Sequence, residues 1–199
     1  MLFLNISTDQ IYIQIQDEII SLDRQDIESI IWPTLVKLYK KYNFTKVLLL
    51  NWPWGFTNLR VWTLALNLLN SLENWAIDIL SITKIDLFKY LINKQKLPNQ
   101  WIIYIWQKKN VWLYDFKKWD HKTIKKPDIN YNDDIFFDLV YEKWYFETQT
   151  IDIYIKSEYI IIKYKKQELS ININQLKINA EKIIEPKYFI KPIMGKQWQ

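Results

Sequence analysis

Cysteine is absent from the 199-residue chain, glycine occurs twice and histidine once. Without Cys there is no disulfide and no thiolate metal site, which fits a reducing compartment. A single histidine, His121, excludes a His-x-x-x-His or zinc-type centre. It lies in a lysine-rich segment and reads as solvent-exposed, so no Ser-His-Asp set is arguable around it. Two glycines exclude a phosphate-cradling Walker loop and leave few ways to make left-handed turns. No apolar run approaches the ~18 residues of a membrane span. The opening "MLFLNISTDQ" lacks the basic n-region and long apolar core of a signal peptide. The expectation is a cytoplasmic globular protein with no membrane contact. No catalytic residue, metal or cofactor is expected. Asp86, Asp115, Asp120, Asp133, Asp134 and Asp138 are scattered and read as solvated carboxylates.

Apolar residues make up 49% of the chain, enough for a real core in one domain or two small ones. The net charge of +5 admits an anionic partner such as RNA, and it also fits an Ile-, Lys- and Asn-rich chain from AT-rich coding. The segment "KKWDHKTIKK" mixes cations with an aromatic and reads as a solvated loop, with phosphate contact as the alternative. The abnormal abundance is tryptophan, 11 residues.

Three short β-prone runs, "LFLNI", "IYIQI" and "EIISL", predict an antiparallel meander. A helix follows from Asp26 to Tyr42, with Ile27, Ile31, Leu35 and Leu38 at helical spacing. "KVLLL" predicts a strand buried on both faces. After "NWPWGF" comes a helix from about Phe56 to Glu73, then a strand at "AIDIL" and a helix at "TKIDLFKYLINK". This order is the RNase H-like plan of actin-like ATPase halves. Beyond a boundary near Lys94–Asn99, "QWIIYIW" and "NVWLYDF" predict a hairpin. "KKWDHKTIKKPDINYNDD" predicts a loop, and "IDIYI", "YIIIKYKK" and "ELSINI" predict strands. The tail, with Pro186 and Pro192, is expected to be extended.

The helix from Phe56 carries too much apolar surface. Leu59, Trp62, Leu66 and Leu69 form one stripe, and Val61, Leu64, Ala65, Leu68 and Leu72 form another beside it. Together they cover roughly 200° of the circumference, against the ~100° of an ordinary surface helix. Arg60, Thr63, Asn67, Asn70 and Ser71 occupy the remaining arc. One stripe packs on the sheet; the other needs more of this chain or a partner.

The turn before that helix carries a resemblance. "NWPWGFTNLRVW" resembles the signature of the TsaB (YeaZ) family, Gly-Pro-Gly-Ser-Phe-Thr-Gly-Leu-Arg-Ile-Gly. Pro53, Phe56, Thr57, Leu59 and Arg60 match; Gly55 stands at the family's Ser and Asn58 at a Gly. Trp52, Trp54 and Trp62 each stand at a family glycine, and so does Trp75 in "NWAIDILSITKIDL". "LFLNIST" is similar to the family's opening strand, with Ser7 and Thr8 matching and Asn5 in place of Asp. Reading UGA as Trp in a gene whose cell reads it as glycine would produce this pattern. UGG codons at 52, 54 and 62 would refute that hypothesis.

The resemblance implies an α/β, actin-like (ASKHA, RNase H-like) fold with two related halves: 1–95 carrying the partner-binding helices, and 96–199 reduced. It implies a non-catalytic subunit of the machinery that makes threonylcarbamoyladenosine in tRNA. Its partners would be a TsaD-like catalytic subunit and a TsaE-like ATPase, with a homodimer as an alternative and tRNA met through the complex. The interface would use Arg60, Val61, Leu64, Leu68 and Leu72, with Ile27, Ile31 and Leu35 as secondary contacts. The alternatives are a TsaD-type enzyme or actin-like ATPase, and a stand-alone basic RNA-binding module.

Overall fold

In a computed structural model of the chain, the structure describes residues 1–7, 10–23, 27–51, 56–104, 110–130, 134–137 and 151–185. Thr8, Trp52, Pro53, Trp54, Gly55, Asp133, Asp138 and the tail from Pro186 lie outside the described residues. So do the side chains of Ile27, Phe56, Thr57, Asn58 and Leu59. The protein is mixed α/β and divides into two units, Met1–Asp86 with Lys177–Gln199, and Leu87–Leu176.

In the first unit, β1 (Leu2–Asn5), β2 (Gln10–Ile15) and β3 (Glu18–Asp23) form the expected meander. Helix α1 (Ile27–Tyr42), β4 (Lys46–Asn51), α2 (Phe56–Leu72) and β5 (Asp78–Thr83) follow, then α3 (Lys84–Asn93). The sheet order is β5-β4-β1-β2-β3. Strands β4 and β5 run parallel to β1, and β2 runs antiparallel to it. Parallel neighbours need a crossover, and α2 supplies it between β4 and β5. Strand β4 is buried from Val47 to Asn51, as a strand covered on both faces must be. On one face Leu2, Leu4, Val47, Leu49 and Ile79 pack with Ile31, Leu35 and Leu38 of α1 and Trp62, Leu66 and Leu69 of α2. Each such Leu or Ile stabilises by roughly 1.5–3 kcal/mol relative to exposure.

The ends of α1 and β3 are tied. Glu18 accepts from Lys41 Nζ at 2.6 Å and from the Tyr42 hydroxyl. The lysine hydrogen bond, then the tyrosine one, holds the Glu18 carboxyl below its ordinary value.

The second unit is all strand beyond α3 among its described residues, apart from two short 3-10 turns. Strands β6 (Gln100–Tyr104), β7 (Asn110–Asp115), β8 (Asp120–Lys125) and β9 (Ile135–Phe137) form a sheet in the order β8-β7-β6-β9. Strands β10 (Ile151–Lys156), β11 (Tyr159–Tyr164) and β12 (Gln167–Asn172) make a separate meander. The loop expected over "KKWDHKTIKKPDINYNDD" is corrected: Asp120–Lys125 pairs with β7 from Asp115↔Asp120 to Asn110↔Lys125. As an edge strand β8 is exposed almost throughout, so it lacks the apolar alternation that would have marked it. An aromatic cluster fills one side of the sheet. The ring of Trp101 is 4.8 Å from Phe88 edge-on and stacks at 6.0 Å on Phe136.

A last strand, β13 (Ala180–Glu181), returns to the first unit and pairs antiparallel with β5.

Candidate partner interface

Helix α2 follows β4 in the chain, starting at Phe56. It ends in a Schellman motif: Trp75 N–H donates to Asn70 O at 2.7 Å, and Asn74 N–H to Ser71 O at 3.2 Å. Asn74 is left-handed at φ 53°, which asparagine tolerates. Trp75 follows at φ 60° and Trp119 stands at φ 54°. Left-handed backbone costs a non-glycine residue roughly 1–2 kcal/mol. Among the described residues every positive-φ position is held by something other than glycine.

Three residues of the polar arc of α2, Thr63, Asn67 and Asn70, are turned inward, while Arg60 and Ser71 are exposed. Asn70 is fully buried; its Nδ2 donates to Ile77 O at 2.9 Å and to Lys182 O at 2.8 Å, and its Oδ1 accepts from Ile77 N–H at 2.8 Å. Asn67 Oδ1 accepts from Ile184 N–H at 3.0 Å, and its Nδ2 donates to Ile184 O at 2.9 Å. Thr63 is buried as well. The chain around β13 therefore takes up the amides that a surface helix would show to water.

The apolar stripe faces outward. Leu64, Leu68 and Leu72 are 70%, 46% and 61% exposed. Four-residue spacing puts them on one line, about 12 Å long at 1.5 Å per residue. Val61 is half-buried against the core and Arg60 is exposed. Ile31 and Leu35 are buried in this unit's own core at 2% and 0% exposure, so they offer no surface to a partner. Trp62 is fully buried in the same core, and its indole N–H has no acceptor among the described residues. It fits sterically while leaving a donor unsatisfied, at a cost of about 1–3 kcal/mol.

Solved structures similar to this chain include two YeaZ-related proteins. The first is YeaZ from Pseudomonas aeruginosa, at 12% identity over 66% of this chain and 70% of that one, with a TM-score of 0.39. The second is an uncharacterized protein with similarity to peptidase YeaZ from Pseudomonas aeruginosa, at 13% identity over 69% and 74%, with a TM-score of 0.37. No family model and no curated protein matches.

In open α/β sheets, ligands bind beyond the carboxyl ends of the parallel strands. Here those ends hold amides, hydroxyls and a lysine. Asn5 Oδ1 accepts from Ser7 N–H at 3.1 Å and Ser7 Oγ at 2.5 Å. Asn51 Nδ2 donates to Ser81 Oγ at 3.0 Å. Lys84, 1% exposed, donates from Nζ to Ser7 O at 3.3 Å.

The scattered carboxylates have local duties. Asp86 Oδ2 accepts from Thr83 Oγ1 at 2.6 Å, and its N–H donates back to that hydroxyl at 3.0 Å, capping α3. Asp115 Oδ1 accepts from the backbone N–H groups of Lys117 and Lys118, closing the turn into β8. Asp120 Oδ1 accepts from His121 N–H. Among the described residues no group of three or more His, Cys, Asp or Glu side chains is placed to hold a metal ion. No helix among them is long and apolar enough to cross a membrane.

Proposed function

We propose that this chain is the non-catalytic, TsaB-type subunit of a tRNA threonylcarbamoyladenosine-forming complex, and that α2 docks it onto a TsaD-like catalytic subunit. The observation that carries the reading is the outward line of Leu64, Leu68 and Leu72, on a helix whose Asn67 and Asn70 are turned inward. Three leucines bared to water along one helix favour a protein partner. The signature match at Pro53, Phe56, Thr57, Leu59 and Arg60 says which family of partner to seek. The strand order β5-β4-β1-β2-β3, with α2 as crossover, fits one actin-like, RNase H-like half. The strand-rich second unit fits a reduced one. Asn5 at the position of the family's Asp, and Lys84 drawn onto Ser7 O, favour a scaffold over a phosphoryl- or group-transfer enzyme.

Reconstitution tests this reading. Threonylcarbamoyl transfer to tRNA adenosine is measured with the TsaD-like and TsaE-like proteins, with and without this chain. Transfer that requires the chain, and that is lost in the folded Leu64→Asp/Leu68→Asp variant, is the expected result. Transfer indifferent to the chain contradicts it. Self-association through α2 in place of heterodimer formation assigns the stripe to a second copy.

A further inference from the structure

Residues 108–126 contain seven Lys against two Asp, an excess of five, which equals the net charge of the whole protein. The structure folds this segment's core into the β7–β8 hairpin, with β8 on the sheet edge. Lys117 and Lys118 sit in the connecting turn, and Lys122 and Lys125 on β8. All four are exposed, and among the described residues none of their side chains has a hydrogen-bond or ion-pair partner. The contrast is with Lys41, held by Glu18, and Lys182, held by Asp78. The two carboxylates in the segment, Asp115 and Asp120, are occupied with backbone N–H groups of the turn and strand. His121 is exposed on the same strand.

We propose that the β7–β8 hairpin is an RNA-contacting surface in which Lys117, Lys118, Lys122 and Lys125 hold phosphate oxygens. The choice of RNA, a tRNA, rests on the function proposed above; the site itself rests on charge and geometry. Lysines also guard sheet edges against unwanted strand pairing, but a guard needs one or two cations along the edge. Lys117 and Lys118 stand in the turn, beyond any pairing edge. Four exposed lysines, two in the turn and one on each face of the edge strand, with no ion-pair partner among the described residues, complement a phosphate backbone electrostatically.

The test is fluorescence anisotropy of the full-length chain with unmodified tRNA across salt concentrations. Four phosphate contacts to single-stranded segments give a log–log slope near −3, or roughly a 50-fold loss of affinity between about 50 and 200 mM salt. The variant with all four lysines changed to Gln is expected to bind at least roughly tenfold more weakly at low salt and to lose that slope. The same four changed to Arg, with an unchanged melting temperature, retain both. Absence of binding at about 50 mM salt, a slope unaltered in the Gln variant, or equal affinity for duplex DNA would overturn the proposal. Leu64→Asp/Leu68→Asp leaves tRNA binding intact, so a failed docking reading and a failed RNA reading give different results.

Discussion

Asn67 closes both halves of its carboxamide on one residue, Ile184, which lies 117 positions later in the chain. Asn70, three residues on, donates its Nδ2 to Lys182 O. These ties decide which face of α2 is buried. Replacing Asn70 with Ala strands Ile77 N–H and two carbonyls, each at about 1–3 kcal/mol if left unpaired. A loss of at least ~2 kcal/mol in urea unfolding is expected for Asn70→Ala. Asn67→Ala, whose partner is only part-buried, is expected to cost less.

Trp75 offers a test of the backbone at the end of α2. At φ 60° a Cβ is unfavourable, and the indole is 39% exposed. Trp75→Gly is expected to be more stable than Trp75→Ala by about 1 kcal/mol, since the two differ mainly in the cost of the left-handed conformation. The same ordering is expected at Trp119, φ 54°. Equal stabilities would remove the conformational argument for glycine there. UGA codons at 52, 54, 62 and 75 would supply the genetic half of the same argument.

Glu18 sets an acid limit. Its carboxyl titrates below the ordinary 4.5 because Lys41 and Tyr42 donate to it. A depressed folded pKa contributes stability above the unfolded value, and this is lost as pH falls through the folded one. Wild type is therefore expected to lose more stability than Glu18→Gln between about pH 6 and pH 3. Parallel curves for the two proteins would contradict the assignment. The pair is solvent-exposed, so Lys41→Met at neutral pH is expected to change stability little.

The order of elements from Leu2 to Asn93 was legible because each element carries its own period: alternation in β2, unbroken apolar residues in β4, three- and four-residue spacing in α1. The excess apolar arc of α2 was legible for the same reason. Spacing alone does not say which arc points outward; the resemblance put Leu64, Leu68 and Leu72 on the partner side, and these three are exposed. Leu64 and Leu66 look alike in sequence, and the choice between them is made by Asn67 and Asn70, whose partners arrive from residues 182–184. Ile31 and Leu35 were candidates for the interface because helical spacing marks an apolar face without saying what covers it. Strand β8 was missed because its pairing comes from β7 and its own residues are polar.

The most direct measurement is the dissociation constant between this chain and a TsaD-like catalytic subunit, determined by titration for wild type and for Leu68→Asp. Placing a carboxylate at the centre of a buried leucine line removes a contact of about 2 kcal/mol or more, so a loss of at least ~30-fold is predicted, with the variant's melting temperature unchanged. An unaltered dissociation constant in a folded Leu68→Asp protein, or no measurable binding by wild type, would contradict the account.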